Sequence, residues 1–194
     1  KHAAPTRAKS GQHSGSRICL WNVSHTESPS VLTRAGRLSD VPTIADLYVK
    51  SWQRVYEGIM PGPFLDNLRV ADREESLTKI ITHERHQVHV VCYDNKVVGF
   101  SNTGIHPKDP TEAELYAIYL HPEYWGKGLG QPLFKTACQS LRTVGLTRLM
   151  LWVATDNLQA RKFYDRMGME ADGATKSETF GGTPVEAVRY WMSL

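Results

Sequence analysis

Three glycines at alternate positions, Gly126, Gly128 and Gly130, separate an apolar run from a helical repeat, and no other stretch restricts the fold as tightly. The apolar run is Leu115-Tyr116-Ala117-Ile118-Tyr119-Leu120, punctuated by His121 and Pro122. Beyond the glycines, Leu129, Leu133, Ala137 and Leu141 recur on one line, with Phe134 and Cys138 beside it. The order is therefore strand, glycine turn, helix. A helix N-terminus presents backbone N–H groups with no intrahelical partner, and glycine lets a ligand approach that backbone closely. Such a turn is an anion site, most simply for phosphate.

Around this unit the chain reads β, α, α, β, β, β, α, β, α, β, β. Val31 to Ala35 is a first strand, and Ser39 or Asp40 can cap a helix whose first turn holds Pro42. Short helices are expected at 64–68 and 71–82, and strands at 88–93 and 96–103 about an Asp94-Asn95 turn. The central strand is 112–120, its helix 129–143, and a buried strand 148–153 precedes a helix at 157–167. An antiparallel pair, 169–180 and 185–192, closes the chain around Gly181-Gly182. This is one mixed α/β domain over 31–194, with a single layered sheet.

The net charge of +3 comes entirely from residues 1–30, which hold four basic residues against Glu27. The rest has nineteen of each sign, so no basic stripe points to nucleic acid. Residues 1–30 read as a flexible basic tail; their serines and scarce acids also suit an organellar transit peptide, and Asn22-Val23-Ser24 fits a glycosylation triplet. Cys19, Cys92 and Cys138 are too few and too far apart for a disulfide framework or a zinc site. No apolar run reaches membrane-spanning length. The expected compartment is the cytoplasm, with no membrane partner.

A dinucleotide fingerprint fails at its third glycine, where Gln131 stands, and no glycine pair precedes Lys and Ser or Thr as a P-loop requires. A second motif decides among phosphate sites: Asn157, Ala160, Tyr164 and Gly168 fall at offsets 0, 3, 7 and 11 across a strand end and the helix after it. With both motifs in order, the chain resembles the GNAT superfamily of acetyl-CoA-dependent N-acetyltransferases over 31–194, most strongly from Glu112 to Met169. The resemblance implies a mostly antiparallel central sheet flanked by helices, and acetyl-CoA as cofactor. One departure is Trp125, where the family usually has Gln or Arg.

Carried over by position, the backbone of Ile118, Tyr119 and Leu120 would meet the pantetheine arm as an added strand. Trp125, Gly126, Lys127, Gly128, Leu129, Gly130 and Gln131 would hold the pyrophosphate, and Asn157 the pantetheine or phosphate end. Tyr164 would be the general acid that protonates the departing sulfur, and Glu114 the base, with Glu112 and His121 in reserve. Trp52, Tyr56, Glu57, Met60, Phe64 and Asp66 would wall the acceptor, together with Tyr116 beside Glu114. The acceptor expected is a small-molecule primary amine. A protein N-terminus or lysine, and a non-catalytic acyl-CoA sensor, are the alternatives, and a homodimer is left open.

Overall fold

The computed structural model describes residues 29–194. The expectations for Cys19, Asn22 and most of the basic tail fall outside these residues. The elements are β1 (Val31–Ala35), α1 (Val41–Val55), α2 (Gly62–Asp66), α3 (Val70–Thr82), β2 (His86–Tyr93), β3 (Lys96–Ile105) and β4 (Glu112–Leu120). They continue with α4 (Gly130–Thr143), β5 (Arg148–Ala154), α5 (Leu158–Arg166), β6 (Glu170–Phe180) and β7 (Thr183–Ser193). One sheet holds all the strands in the order β1-β2-β3-β4-β5-β7-β6. Every neighbouring pair is antiparallel except β4 and β5.

Local chemistry accounts for the boundaries. Asp94 and Asn95 both take positive φ, 48° and 63°, the twist that a two-residue hairpin needs. Pro42 lies in the first turn of α1, where its missing N–H costs nothing. Asp40 does not cap α1 as the sequence suggested. Already helical in its backbone (φ −86°, ψ −14°), it turns its carboxylate back toward β1. There it accepts from both Arg34 Nη atoms at 2.7 and 2.9 Å and from the Arg37 N–H at 2.8 Å. The Arg34 bond holds its carboxyl below the usual range.

Two apolar layers sandwich the sheet. On one face, Ile44 and Leu47 of α1 and Leu77 of α3 pack on Val90 and Phe100. On the other, Phe134 and Leu141 of α4 and Tyr164 of α5 pack on Leu149 and Leu151. Both Cys92 and Cys138 are buried and free, and burial pushes the Cys138 thiol up to about 11. No helix among the described residues is long and apolar enough to cross a membrane.

Two irregularities in β4 position everything that follows. Opposite Asn102 and Thr103 the register jumps from Ala117 to Leu115, so Tyr116 is a bulge residue with no partner on β3. Before it, the odd-numbered Ala113 and Leu115 face α4 and α5. After it, Ala117 and Tyr119 face α1 and α3, while Ile118 and Leu120 join the α4 side. The second irregularity is a fork: β4 and β5 pair only at Glu112–Arg148, Ala113–Leu149 and Glu114–Met150. Past Glu114 the two strands part.

Candidate functional site

The opening between the parted strands is a cleft of about 680 Å³. Its walls are Leu115–Leu120 of β4, Trp152 and Val153 of β5, the glycine turn, and one face of α5. The His121 N–H donates to the Val98 carbonyl at 2.8 Å, which fixes the ladder parity. In an antiparallel pair alternate residues point their peptide groups at the partner strand. Tyr119 therefore faces β3, and Ile118 and Leu120 face the cleft. The Leu120 carbonyl is already engaged by Trp125 Nε1 at 2.8 Å and Ser51 Oγ at 3.1 Å. The strand edge thus offers the peptide of Ile118 and the N–H of Leu120. Trp125, the departure from the family pattern, is tied to the strand by its indole.

The three glycines serve two different needs. Gly126 and Gly128 both have φ of +76°, which an L side chain adopts only at a cost, and a Cβ at either would meet nothing within 4 Å. Gly130 has no such strain; its Cβ would lie 3.1 Å from Phe163 Cε2, so it lets α4 approach α5. With Leu129 at the N-cap, Gly130 and Gln131 present free N–H groups toward the cleft, and Pro132 removes a donor that would be unpaired anyway. Lys127 turns its side chain away: Nζ lies 4.6 Å from the Tyr124 ring and 5.0 Å from the Tyr93 ring. Asn157 caps α5, its Oδ1 accepting from the Ala160 N–H at 3.1 Å, which leaves its amide NH2 for the cleft.

At the fork end stand three phenols. Tyr164 is 8% exposed and lines the cleft, its ring packed 5.4 Å from Phe163 and 6.0 Å from Tyr190. The Tyr56 and Tyr119 hydroxyls are 3.3 Å apart. Burial, and for Tyr119 and Tyr164 secondarily the charge of Tyr56, pushes the phenols up, so all three are protonated at ordinary pH.

Thirteen of the site residues expected from the sequence line this cleft, from Tyr56 and Tyr116 through the glycine turn to Asn157 and Tyr164; Glu114, Lys127, Trp52 and Phe64 do not, nor do Glu57, Met60, Asp66, Glu112 and His121. Glu114 is half-buried at the last paired position of the fork, next to Tyr116. Burial raises its carboxyl, and Lys176 and His106 partly offset that. Tyr48 stacks on Trp52 at 5.2 Å and lies edge-on to Tyr119 at 5.5 Å. Phe64 packs on Phe180 at 5.9 Å.

An open strand edge, a phosphate-sized N–H turn and a protonated phenol fit a long acyl thioester that carries a diphosphate. Comparison with known proteins agrees: the sequence model of the Acetyltransferase (GNAT) family matches residues 43–169. The chain belongs to that family. GNAT-family acetyltransferases use acetyl-CoA. Mycothiol acetyltransferase of Rhodococcus jostii is 38% identical over 80 residues, 40% of this chain but 26% of that protein. The GNAT chain thus spans about a quarter of that relative's length. An uncharacterized N-acetyltransferase, YuaI of Bacillus subtilis, is 30% identical over 66% of this chain and 73% of its own. The PaiA N-acetyltransferase of Thermoplasma acidophilum, crystallised with coenzyme A, superposes with a TM-score of 0.71 at 22% identity, covering 85% of this chain and 99% of that one; at this identity the likeness shows the fold.

Several cleft residues of the GNAT domain escaped the sequence reading: Trp152, Val153, Gln159, Phe163, Arg166 and Met167. Three of them carried a signal. Gln159, Phe163 and Arg166 sit at i, i+4 and i+7 of α5, one face of the helix that Asn157 begins. Trp152 carried none, because nothing in its own segment tells that the neighbouring strand departs.

Proposed function

We propose that this enzyme acetylates the primary amine of a small molecule by direct attack on the thioester, with Glu114 or a water as base and Tyr164 as acid. The observation that carries the reading is the fork: one cleft runs unbroken from the glycine turn to the Tyr164 phenol, alongside a strand edge whose pairing ends at Glu114. When bound, acetyl-CoA supplies an activated acyl group. The N–H groups of Gly130 and Gln131, with the Asn157 amide, would hold its phosphate and pantetheine portions. The Ile118 N–H, turned into the cleft, is the donor placed to receive negative charge at the carbonyl oxygen. Tyr164 keeps its proton because burial disfavours the phenolate, and would donate it to the leaving sulfur.

Glu114 is set back from the cleft wall, so it would take the amine proton through a water passing Tyr116. Burial lifts its carboxyl toward the range a base needs near neutrality. A small acceptor agrees with the names of the relatives, which include mycothiol and spermidine acetyltransferases. The test is thiol release from acetyl-CoA against small amines, peptides with free N-termini, and lysine peptides. Turnover on free amines is expected. Turnover on peptides alone overturns the small-molecule reading, and tight coenzyme A binding without turnover on any acceptor overturns catalysis.

A further inference from the structure

Arg73 of α3 lies outside the cleft lining. Its guanidinium carbon lies 4.8 Å from the Tyr48 ring centre and 5.9 Å from that of Trp52. Helices α1 to α3, with Arg69 at the N-cap of α3, carry five cations, and four have a carboxylate. Lys50 pairs with Asp46 at 2.8 Å, Arg54 with Glu57 at 2.6 Å, Arg69 with Asp72 at 3.2 Å and Lys79 with Glu75 at 2.7 Å. Arg73 makes no ion pair or side-chain hydrogen bond among the described residues, not even with Glu74 beside it. Its Nε is sealed off without an acceptor, whereas neither terminal nitrogen is. The two-pronged end of the guanidinium is therefore open and unused.

The rings under Arg73 stand behind the cleft wall, each against a residue that lines it. Tyr48 lies 5.5 Å from Tyr119, and Trp52 lies 4.8 Å from Tyr56. Tyr119 and Tyr56 are cleft residues, their hydroxyls in contact. A fixed positive charge thus stands one ring behind the end of the cleft where an acceptor would enter. The place a ligand ammonium would take over Tyr48 and Trp52 is already filled. A second ammonium on the acceptor would be repelled there, and a planar anion would match the fork.

The geometry points to a carboxylate-binding site: Arg73 receives the carboxylate of an acceptor whose amine lies among Tyr56, Tyr119 and Tyr164. The inference rests on the small-molecule reading and narrows it from amines in general to amino acids and related amino carboxylates, away from polyamines.

Matched acceptors differing only by the carboxylate test it: lysine against 1,5-diaminopentane, β-alanine against ethylamine, phenylalanine against phenethylamine. Thiol release is followed with the wild type, Arg73→Leu and Arg73→Lys. The wild type is expected to favour the carboxylate member by about ten- to a hundredfold in kcat/KM, the range for a hydrogen-bonded charge pair. Arg73→Leu should erase the preference while leaving rates on carboxylate-free amines and the acetyl-CoA Kd unchanged; Arg73→Lys should restore part of it. Equal rates within the wild-type pairs overturn the site without any variant having to fold. Equal losses on both members in Arg73→Leu mean that Arg73 only braces α3 on α1, and overturn it too. Turnover without preference refutes this inference alone, whereas no thiol release from any amine by protein that binds acetyl-CoA refutes the proposed function and this inference with it.

Discussion

Replacing Gly128 by alanine separates conformational strain from steric fit in the glycine turn. At φ of +76° an L residue costs about 1–2 kcal/mol over glycine. No neighbour lies within 4 Å of the added methyl group, so the whole cost is torsional. Reduced freedom of the unfolded chain returns about 0.4–1 kcal/mol. The net loss is about 1 kcal/mol, or roughly 2–4 °C in Tm for a domain of this size. The turn can relieve the strain by rotating away from positive φ, which swings the N–H groups after it out of the cleft. Binding must then restore the strained form, and acetyl-CoA affinity should fall about five- to thirtyfold. Gly130→Ala is the control: its φ is unstrained, Phe163 has only to yield from 3.1 Å, and alanine favours the helix. Calorimetric titration with acetyl-CoA and thermal melts on both variants give the answer. Wild-type affinity in Gly128→Ala, or an equal loss in both, refutes the assignment of strain to the first and packing to the second.

Three further outcomes are expected. Tyr164→Phe should lower kcat by about a hundredfold with acetyl-CoA affinity within twofold; unchanged kcat with chemistry limiting removes Tyr164 as the acid. In the wild type, activity should rise with pH as Glu114 loses its proton, on a limb displaced above the ordinary carboxylate range by burial. Glu114→Gln should abolish that limb in a pH profile of kcat/KM, and an unaltered profile transfers the role to another group. Asp40→Ala should cost about 2 kcal/mol by denaturant melt, since it strips two charged hydrogen bonds from Arg34 and one from the Arg37 amide. Because the folded carboxyl sits below its ordinary value of 3.8, that stability is present above this pH and fades as pH falls further. Variant and wild type should therefore converge in acid, and a constant difference down to pH about 2 speaks against the Arg34 pair as its source.

What the sequence made legible was whatever a segment states about itself. The 3.6-residue repeat of α4, the Asp94-Asn95 turn and the paired glycines at 181 and 182 each carry their cause in a few neighbouring residues, and their bounds emerged within a residue or two. Asn157 was readable because a helix cap and a cleft donor use the same short side chain. Relations between segments were not readable. Nothing in Leu115-Tyr116-Ala117 signals that Tyr116 will lack a partner, since that is decided by the register against β3. The direction of the Lys127 side chain was unreadable because the tyrosines that draw its ammonium away lie on β2 and just before the turn. Nothing in the α3 segment sets Arg73 apart, and only the pairing of its four fellow cations singles it out. Asp40 failed as a cap for a similar reason: Arg34 and the Arg37 amide, fixed by the end of β1, compete for its oxygens.

The supernumerary residue in β4 fixes which way everything after it points. Were the strand drawn straight, with Tyr116 taking Asn102 as its partner, an uninterrupted alternation would transpose every side chain after it. Tyr119 would be thrust among the α4 aliphatics, with Ile118 and Leu120 turned onto the aromatics of α1. The peptide of Ile118 would then bond inward to β3 rather than toward a visiting molecule. A slip of that one step would cost the chain both its tyrosine pair and its docking edge, although no residue that makes either had been altered. Deleting Tyr116, by contrast, would leave Leu115 opposite Thr103 and Ala117 opposite Asn102, with both faces as they are.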